Sequence, residues 1–144
     1  MKLKSAGLII LSLLLSVFIF MNVSASSPLL EEIQWHSYND GMARSKFEKK
    51  KVFLHFTAEW CNYCGVMEKE TFNDPAVISF LNENFISIKV DFDREKKTSD
   101  FYHVIGLPDT IFIAENGQII GRRPGYIPPE VFKRILKSIL KTSS

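Results

Sequence analysis

The sequence predicts an α/β domain, with a mixed central β-sheet and helices on both faces of that sheet. Residues 51–57 (KVFLHFT) are almost continuously apolar, which is typical of a strand buried on both faces. Strand and helix patterns alternate in the order βα, βαα, βα, ββα, as expected for a sheet covered by helices. Residues 128–140 predict a closing amphipathic helix whose inner side consists of Val131, Phe132, Ile135, Leu136, Ile139 and Leu140.

A short strand and a helix are predicted before this buried strand. Residues 33–36 (IQWH) have the composition of an edge strand. Asn39 or Asp40 can act as the N-cap of the following helix, because either side chain accepts a hydrogen bond from a free backbone N–H group. The residues expected on the inner side of this helix are Met42, Ala43 and Phe47.

The chain after the buried strand supplies the rest of the sheet and its helices. A helix is predicted over residues 61–70, and Asp74-Pro75 provides an N-cap and a first-turn proline for another that runs to about residue 82. The remaining predicted elements are a strand at 85–92, a polar helix at 95–103, a strand at 110–114, a hairpin turn at 115–117 and an antiparallel strand at 118–121.

The first 25 residues have the pattern of a secretory signal segment. Lys2 and Lys4 precede an uncharged run over residues 5–27, and residues 23–25 (VSA) are small enough for a cleavage site. A retained membrane anchor is the alternative, because a run of ~18–20 apolar residues can span a bilayer. We predict cleavage after Ala25, a folded domain over residues 26–144, and a location in the periplasm or another extracytoplasmic space.

Length and composition restrict the class of protein further. The 144 residues suit a single domain, and the apolar content of 46% excludes a disordered chain. Loss of residues 1–25 removes two lysines from a net charge of +2, so the remaining chain is formally neutral. Nucleic-acid binding depends on clustered basic residues, so we expect no nucleic-acid partner. We expect the domain to act as a monomer.

Two cysteines lie at the junction between the buried strand and the next predicted helix, in the sequence Trp60-Cys61-Asn62-Tyr63-Cys64. A cysteine at a helix N-terminus is stabilised as the thiolate by free N–H groups and the helix dipole, and the thiolate is the nucleophilic form. Cys64 follows one turn later, within reach of a mixed disulfide on Cys61. The spacing therefore favours thiol–disulfide exchange.

Three other uses of the cysteine pair are possible. A structural disulfide across so short a loop would remove little chain entropy from the unfolded state. A zinc site needs about four ligands, and His36, His55 and His103 are scattered along the chain without a second CxxC. Two unused thiols would tend to oxidise in an exported protein. We expect no metal and no cofactor.

Several motifs resemble the thioredoxin superfamily, and the resemblance covers roughly residues 33–141. It implies a thioredoxin fold and a protein-disulfide oxidoreductase. The segment at 70–77 (ETFNDPAV) is also similar to the C-terminal periplasmic domain of the DsbD electron transporter and to small exported thioredoxin-like proteins. The other matching segments are FTAEWCNYC (56–64), KVDFD (89–93), GLPDTIFI (106–113) and ENGQIIGRRPGY (115–126).

The resemblance also implies a substrate groove around the cysteines. Pro108 corresponds to the family's cis-proline, and the backbone of Leu107 would pair with a substrate segment in the manner of an added strand. Trp60 and Tyr63 would flank this groove, with core packing as the alternative for Trp60. Asp109 stands where the family often has threonine, which leaves the charge of the groove open.

His55 is the largest departure from the family pattern. It lies six residues before Cys61, where related proteins usually have a buried acid that moves protons for Cys64, and Lys89 corresponds to the lysine near that acid. A neutral imidazole could accept the Cys64 proton as a general base, or His55 could be a core residue. Glu59 is a second candidate for proton transfer, or a charge at the rim.

These expectations combine into an exported thiol:disulfide oxidoreductase in which Cys61 attacks and Cys64 resolves. Asn62 and Tyr63 bring no positive charge between the cysteines, which favours a reductant of periplasmic protein disulfides. The DsbD resemblance implies a membrane thiol electron transporter as partner, and cytochrome c maturation is one possible destination. A dithiol oxidase or isomerase, and a non-catalytic binding module with this fold, are the alternatives.

Overall fold

Five strands and five helices follow one another over residues 32–142, the part of the chain that this computed structural model describes. The signal segment predicted over residues 1–25 lies outside the described residues. The elements are β1 (Trp35–His36), α1 (Tyr38–Glu48), β2 (Lys51–Thr57), α2 (Asn62–Glu70), α3 (Pro75–Asn84), β3 (Phe85–Asp91), α4 (Lys96–Phe101), β4 (Asp109–Ile113), β5 (Ile119–Pro124) and α5 (Pro129–Lys141).

The strands form one mixed sheet in the order β1-β3-β2-β4-β5. β1 and β2 run parallel to β3, whereas β4 is antiparallel to β2 and β5 is antiparallel to β4. The predicted apolar strand is therefore the central one, and its first six residues are all buried. In this register His55 lies between Lys89 of β3 and Thr110 of β4.

Helices cover both faces of the sheet, as the sequence predicts. Phe53 and Phe112 face a core that contains Met67 of α2, Leu81 of α3 and Phe132 of α5. The opposite face carries Val52, Leu54, Phe56, Ile88 and Ile111, which pack with Tyr102, Val104 and the partly buried Tyr38 and Met42. Because side chains alternate along a strand, the odd-numbered residues of β2, including His55, point toward α2, α3 and α5.

The N-cap predicted at Asp74 is confirmed. Its Oδ1 accepts hydrogen bonds from the backbone N–H groups of Ala76 and Val77 at 2.9 and 3.0 Å, and Pro75 occupies the first turn. An N-cap of this kind contributes about 1 kcal/mol to the free energy of unfolding.

The inner face predicted for α1 is wrong in part, and so is its cap. Ser37, rather than Asn39 or Asp40, is the N-cap, and Ala43 and Phe47 are exposed, Phe47 at 89%. The helix presents Gly41 and Ser45 to the sheet instead. A Cβ atom on Gly41 would lie 2.3 Å from Ile88 Cγ1, so only glycine permits this close approach. Residues 43 and 47 then point away from the sheet; of the predicted residues, only Met42 contacts the core.

Among the residues that the structure describes, no helix has the length and apolar character needed to cross a bilayer.

Candidate active site

Cys61 and Cys64 lie where the chain passes from β2 into α2, and they form a disulfide with Cα atoms 5.2 Å apart. Cys61 is the N-cap of α2, and its Sγ accepts a hydrogen bond from the backbone N–H of Cys64 at 3.1 Å. A turn before the helix is closed by the bond from Cys61 N–H to Ala58 O, also 3.1 Å. The predicted helix start is therefore confirmed, with Cys61 at the terminus where a thiolate is stabilised.

The two sulfur-bearing residues differ in exposure. Cys61 is 8% exposed and Cys64 is 1% exposed, and both pack with Ala58 against the partly buried Phe92 and Leu107. An incoming disulfide can therefore reach Cys61 more readily than Cys64. Cys61 is therefore the more accessible of the two cysteines.

The segment before β4 approaches the cysteines from another part of the chain. The Leu107–Pro108 peptide bond is cis, Pro108 is buried, and Leu107 is half-buried against the cysteine pair. The carbonyl of Pro108 accepts a hydrogen bond from the N–H of Gly125 at 2.7 Å. Gly125 has a φ of +86°, a conformation that suits glycine. The structure thus packs Leu107 against the CxxC, 43 residues after Cys64 in sequence, and Pro108 directly follows it.

Aromatic side chains extend the surface around the disulfide. Trp60 is 62% exposed and Tyr63 is similarly exposed, so the alternative of core packing for Trp60 is wrong. The Trp60 Nε1–H donates to Asp93 Oδ2 at 2.8 Å, and its ring meets Phe92 edge-on. Trp60 is thus held in place although it is open to solvent.

Glu59 lies at the rim of the site. Its side chain is exposed, and its Oε1 accepts a hydrogen bond from Arg94 Nη2 at 2.8 Å. Ion pairs between exposed groups contribute roughly 0–1 kcal/mol.

His55 is completely buried on the face of the sheet that α2 covers. Its ring lies among Trp35, Phe53 and Phe72, with the Phe72 ring edge-on at 4.9 Å between centroids. His55 Nδ1 lies 3.5 Å from Thr110 Oγ1, and Nε2 has no hydrogen-bond partner within residues 32–142. Burial, and second the charge of Lys89, lower the pKa of His55 from 6.5 to about 3, so the ring is neutral at physiological pH.

Lys89 is paired with a carboxylate that sequence reasoning missed. Lys89 Nζ lies 2.5 Å from Glu68 Oε1 and 4.4 Å from the centroid of the Trp35 ring. Glu68 follows Cys64 by four residues, so both lie on one side of α2. That spacing is visible in the sequence, but the partner of Glu68 depends on how α2 lies over β3.

Asp109, whose charge the sequence leaves open, is buried at 2% exposure and paired with Arg122 of β5. Arg122 Nε and Nη2 lie 3.0 and 2.5 Å from Asp109 Oδ2. The Asp109 carboxylate is therefore compensated by the Arg122 guanidinium and is not a free negative charge beside Pro108. Sequence reasoning also missed Arg122.

His36 and His103, which the sequence places in no motif, lie at the edge of the sheet and at the surface. His36 is at the sheet edge, with Nδ1 3.1 Å from Asp40 Oδ2, and His103 is exposed. Over the described part of the chain, no three His, Cys, Asp or Glu side chains are grouped so that they could hold a metal ion.

Comparisons with known proteins agree with this geometry. A family model described as a thioredoxin-like domain matches residues 38–140. The disulfide bond reductase DsbH of Chlamydia pneumoniae is 25% identical over an alignment of 114 positions, and the match covers 70% of this chain and 69% of that protein. The thiol:disulfide interchange protein DsbD of Campylobacter jejuni is 29% identical over an alignment of 142 positions, and the match covers 86% of this chain. The chain spans only 25% of the length of that DsbD.

Solved structures show the same fold. A thioredoxin from Thermus thermophilus superimposes with a TM-score of 0.70 at 25% identity, over 76% of this chain and 88% of that one. A DsbH oxidoreductase gives a TM-score of 0.68 at 24% identity, over 85% and 94%. The reduced C-terminal domain of Neisseria meningitidis DsbD gives 0.61 at 20% identity, over 69% and 91%. The predicted thioredoxin fold is confirmed.

Proposed function

This chain belongs to the thioredoxin-like family, and we propose that it reduces the disulfides of exported proteins. The protein is a thiol:disulfide oxidoreductase with a CxxC-spaced cysteine pair. The exchange chemistry in this proposal rests on the unequal placement of the two cysteines. Cys61 is the N-cap of α2, whereas Cys64 in the first turn is nearly inaccessible to solvent.

The proposed reaction begins from the dithiol form. The Cys61 thiolate attacks one sulfur of a substrate disulfide, a mixed disulfide forms, and the first substrate sulfur leaves as a thiolate that takes a proton from solvent. Cys64 then loses its proton and attacks Cys61 Sγ. The Cys61–Cys64 disulfide forms, and the second substrate thiolate leaves. Two electrons pass to the substrate, so another dithiol must restore the reduced form.

The substrate segment is proposed to lie across Cys61, against the backbone of Leu107. Pro108 follows it in the same segment, and the N–H and carbonyl groups of an extended peptide could pair with this backbone. The exposed rings of Trp60 and Tyr63 would supply apolar contact area beside the disulfide. This arrangement favours unfolded or extended cysteine-containing segments over compact proteins.

The proposed direction depends on the residues between the cysteines. A strongly oxidising CxxC protein has a stabilised reduced form, and Asn62 and Tyr63 provide no positive charge that would stabilise a thiolate. The Chlamydia relative named a disulfide bond reductase supports the same direction.

The reduction potential of the Cys61–Cys64 couple tests this direction. We expect a value below about −200 mV, closer to thioredoxin at about −270 mV than to the oxidant DsbA at about −120 mV. Equilibration with glutathione buffers followed by acid trapping and mass spectrometry gives the potential. A value near −120 mV would support a dithiol oxidase, and failure to accelerate insulin reduction by dithiothreitol would support a binding module.

A membrane thiol transporter is the proposed source of electrons. An exported reductant cannot draw on cytoplasmic dithiols directly, and one relative is named a thiol:disulfide interchange protein, DsbD. Apocytochrome c is one proposed destination, because its cysteines must be reduced before haem is attached.

Export itself is proposed from residues 1–25. A full-length product made in a bacterial host is expected to lose these residues and to begin at Ser26 in the exported fraction. Intact mass spectrometry of that fraction measures the N-terminus. Recovery of a chain that still begins at Met1 in membranes would favour the anchor, and recovery of it in the cytoplasm would contradict export.

A further inference from the structure

One guanidinium group connects both ends of the segment that carries Leu107 and Pro108. Arg122 lies in β5 opposite Ile111 of β4, on the same face of the sheet as Tyr102. Its Nη1 donates to the carbonyl of Tyr102 at 2.9 Å, and its Nη2 donates to the carbonyl of His103 at 3.1 Å. These carbonyls belong to the chain that leaves α4 and begins the segment.

The same guanidinium holds the far end of the segment through Asp109, the residue directly after Pro108. Nε and Nη2 of Arg122 both donate to Asp109 Oδ2. Asp109 Oδ1 has no hydrogen-bond partner within the described residues, so Arg122 is the contact that compensates this buried carboxylate. A buried carboxylate without a charged partner is strongly unfavourable, so we expect the Asp109–Arg122 pair to remain formed in the folded protein.

The chain between these two attachment points is exposed only in its middle, because Val104 and Pro108 are buried. Ile105 and Gly106 are exposed, whereas Leu107 is half-buried against the cysteine pair. The segment begins at His103, whose φ of +51° is a left-handed conformation that is uncommon for residues other than glycine. Leu107 packs against the cysteines and Pro108 O accepts from Gly125 N–H, so the remaining restraints on the Leu107 backbone are those at the ends of residues 102–109.

We propose that Arg122 is a positioning residue, which fixes the Leu107–Pro108 backbone in the place where it pairs with a protein substrate. This inference rests on the proposed role of that backbone in the reduction of protein disulfides. A planar guanidinium can serve one carboxylate and two carbonyls at once, which a lysine ammonium does not reproduce. The side-chain hydrogen bonds of Arg122 within residues 32–142 go to Asp109, Tyr102 and His103 and to neither sulfur atom, so its effect on the reaction is indirect.

The test compares two disulfide substrates with the pre-reduced protein. Insulin needs the groove, whereas hydroxyethyl disulfide needs little more than Cys61. Arg122→Met is expected to lower the rate constant for insulin by roughly 10- to 100-fold, because small displacements of positioning groups are costly, and that for hydroxyethyl disulfide by less than about twofold. Arg122→Lys is expected to give an intermediate loss with insulin.

Arg123→Met is the matched control. Arg123 is the next residue of β5 and is exposed, and within residues 32–142 its side chain donates only to the carbonyl of Arg122. Both rate constants should stay at the wild-type value in this variant. If Arg122→Met does not fold, the rate constants for insulin and hydroxyethyl disulfide are compared in Arg122→Lys instead.

The outcomes distinguish failure of the positioning role of Arg122 from failure of the proposed function. Equal loss with both substrates would show that Arg122 acts through general stability, and unchanged insulin reduction or full rescue by lysine would also overturn the positioning role. A wild type that reduces hydroxyethyl disulfide but not insulin would overturn the proposed function itself. Selective loss with insulin supports both.

Discussion

Replacement of Cys64 by alanine is expected to stop turnover and to convert the protein into a covalent trap. Cys61 keeps its place at the N-terminus of α2, so it can still attack a substrate disulfide. The thiol that would attack Cys61 Sγ from within the protein is gone. We expect steady-state reduction of insulin to fall by at least about 100-fold while mixed disulfides accumulate.

The trapped species is measured directly by non-reducing gel electrophoresis and mass spectrometry of the exported fraction. Cys61→Ala is the matched control, because it removes the more exposed cysteine and leaves the less exposed one. It should form no adducts. Abundant adducts through Cys64 in that control, or none in the Cys64→Ala variant, would contradict the assignment of attacking and resolving roles.

The elements that could be predicted are those whose cause is local. The continuous apolar run of β2 can only be buried on both faces, and Asp74-Pro75 satisfies the first N–H groups of α3 with its own atoms. The CxxC at the start of a helix is also local, because it needs only the end of a buried strand and the following turn. These features required no knowledge of distant residues.

The interactions that could not be predicted depend on register and on the approach between elements. Glu68 pairs with Lys89 across 21 residues, and Asp109 pairs with Arg122 across 13. Many carboxylates and cations lie at such separations, and only the placement of α2 over β3 and of β4 beside β5 selects these partners. The face of α1 was mispredicted for the same reason, since the contact of Gly41 with Ile88 decides it.

His55→Gln is expected to slow the release of substrate from the mixed disulfide, while the initial attack by Cys61 changes less. The His55 ring contacts Phe53 and Phe72, which belong to the core that also contains Met67 of α2, the helix that carries Cys64. A neutral imidazole can accept a proton there, whereas a glutamine amide cannot. General-base assistance contributes about 10²–10⁴-fold, and a base with a pKa of about 3 is weak, so we expect the lower end, about 100-fold.

The neutral state of His55 in the fold has its own measurable consequence. The unfolded chain binds a proton at this residue below about pH 6.5, whereas the folded chain does so only near pH 3. Stability therefore falls as the pH drops through this window. From pH 7 to pH 5 the wild type is expected to lose about 2 kcal/mol more of its free energy of unfolding than His55→Gln does. Equal losses would show that His55 is not buried as the neutral form.

The pH dependence of release separates proton transfer from packing. If His55 accepts the Cys64 proton, the deficit of His55→Gln should be largest near pH 6 and should narrow as the pH rises, because hydroxide then removes the proton without a general base. His55→Asp supplies another base at the same position and should restore part of the rate, although its carboxylate is costly to bury. The charges nearest to this process are Lys89 and Glu68, which are paired with each other and remain in all three proteins.

A core residue would give a different result in the same single-turnover experiment. Truncated or altered packing among Trp35, Phe53 and Phe72 would lower the free energy of unfolding at every pH, yet the folded molecules would release substrate at the wild-type rate. Release rates normalised to the folded fraction therefore decide between the two roles. Identical normalised rates for wild type and His55→Gln from pH 6 to pH 9 would make His55 a packing residue. A lower release rate in His55→Gln that depends on pH and is partly restored in His55→Asp would show that His55 is the general base that stands in place of the family's buried acid.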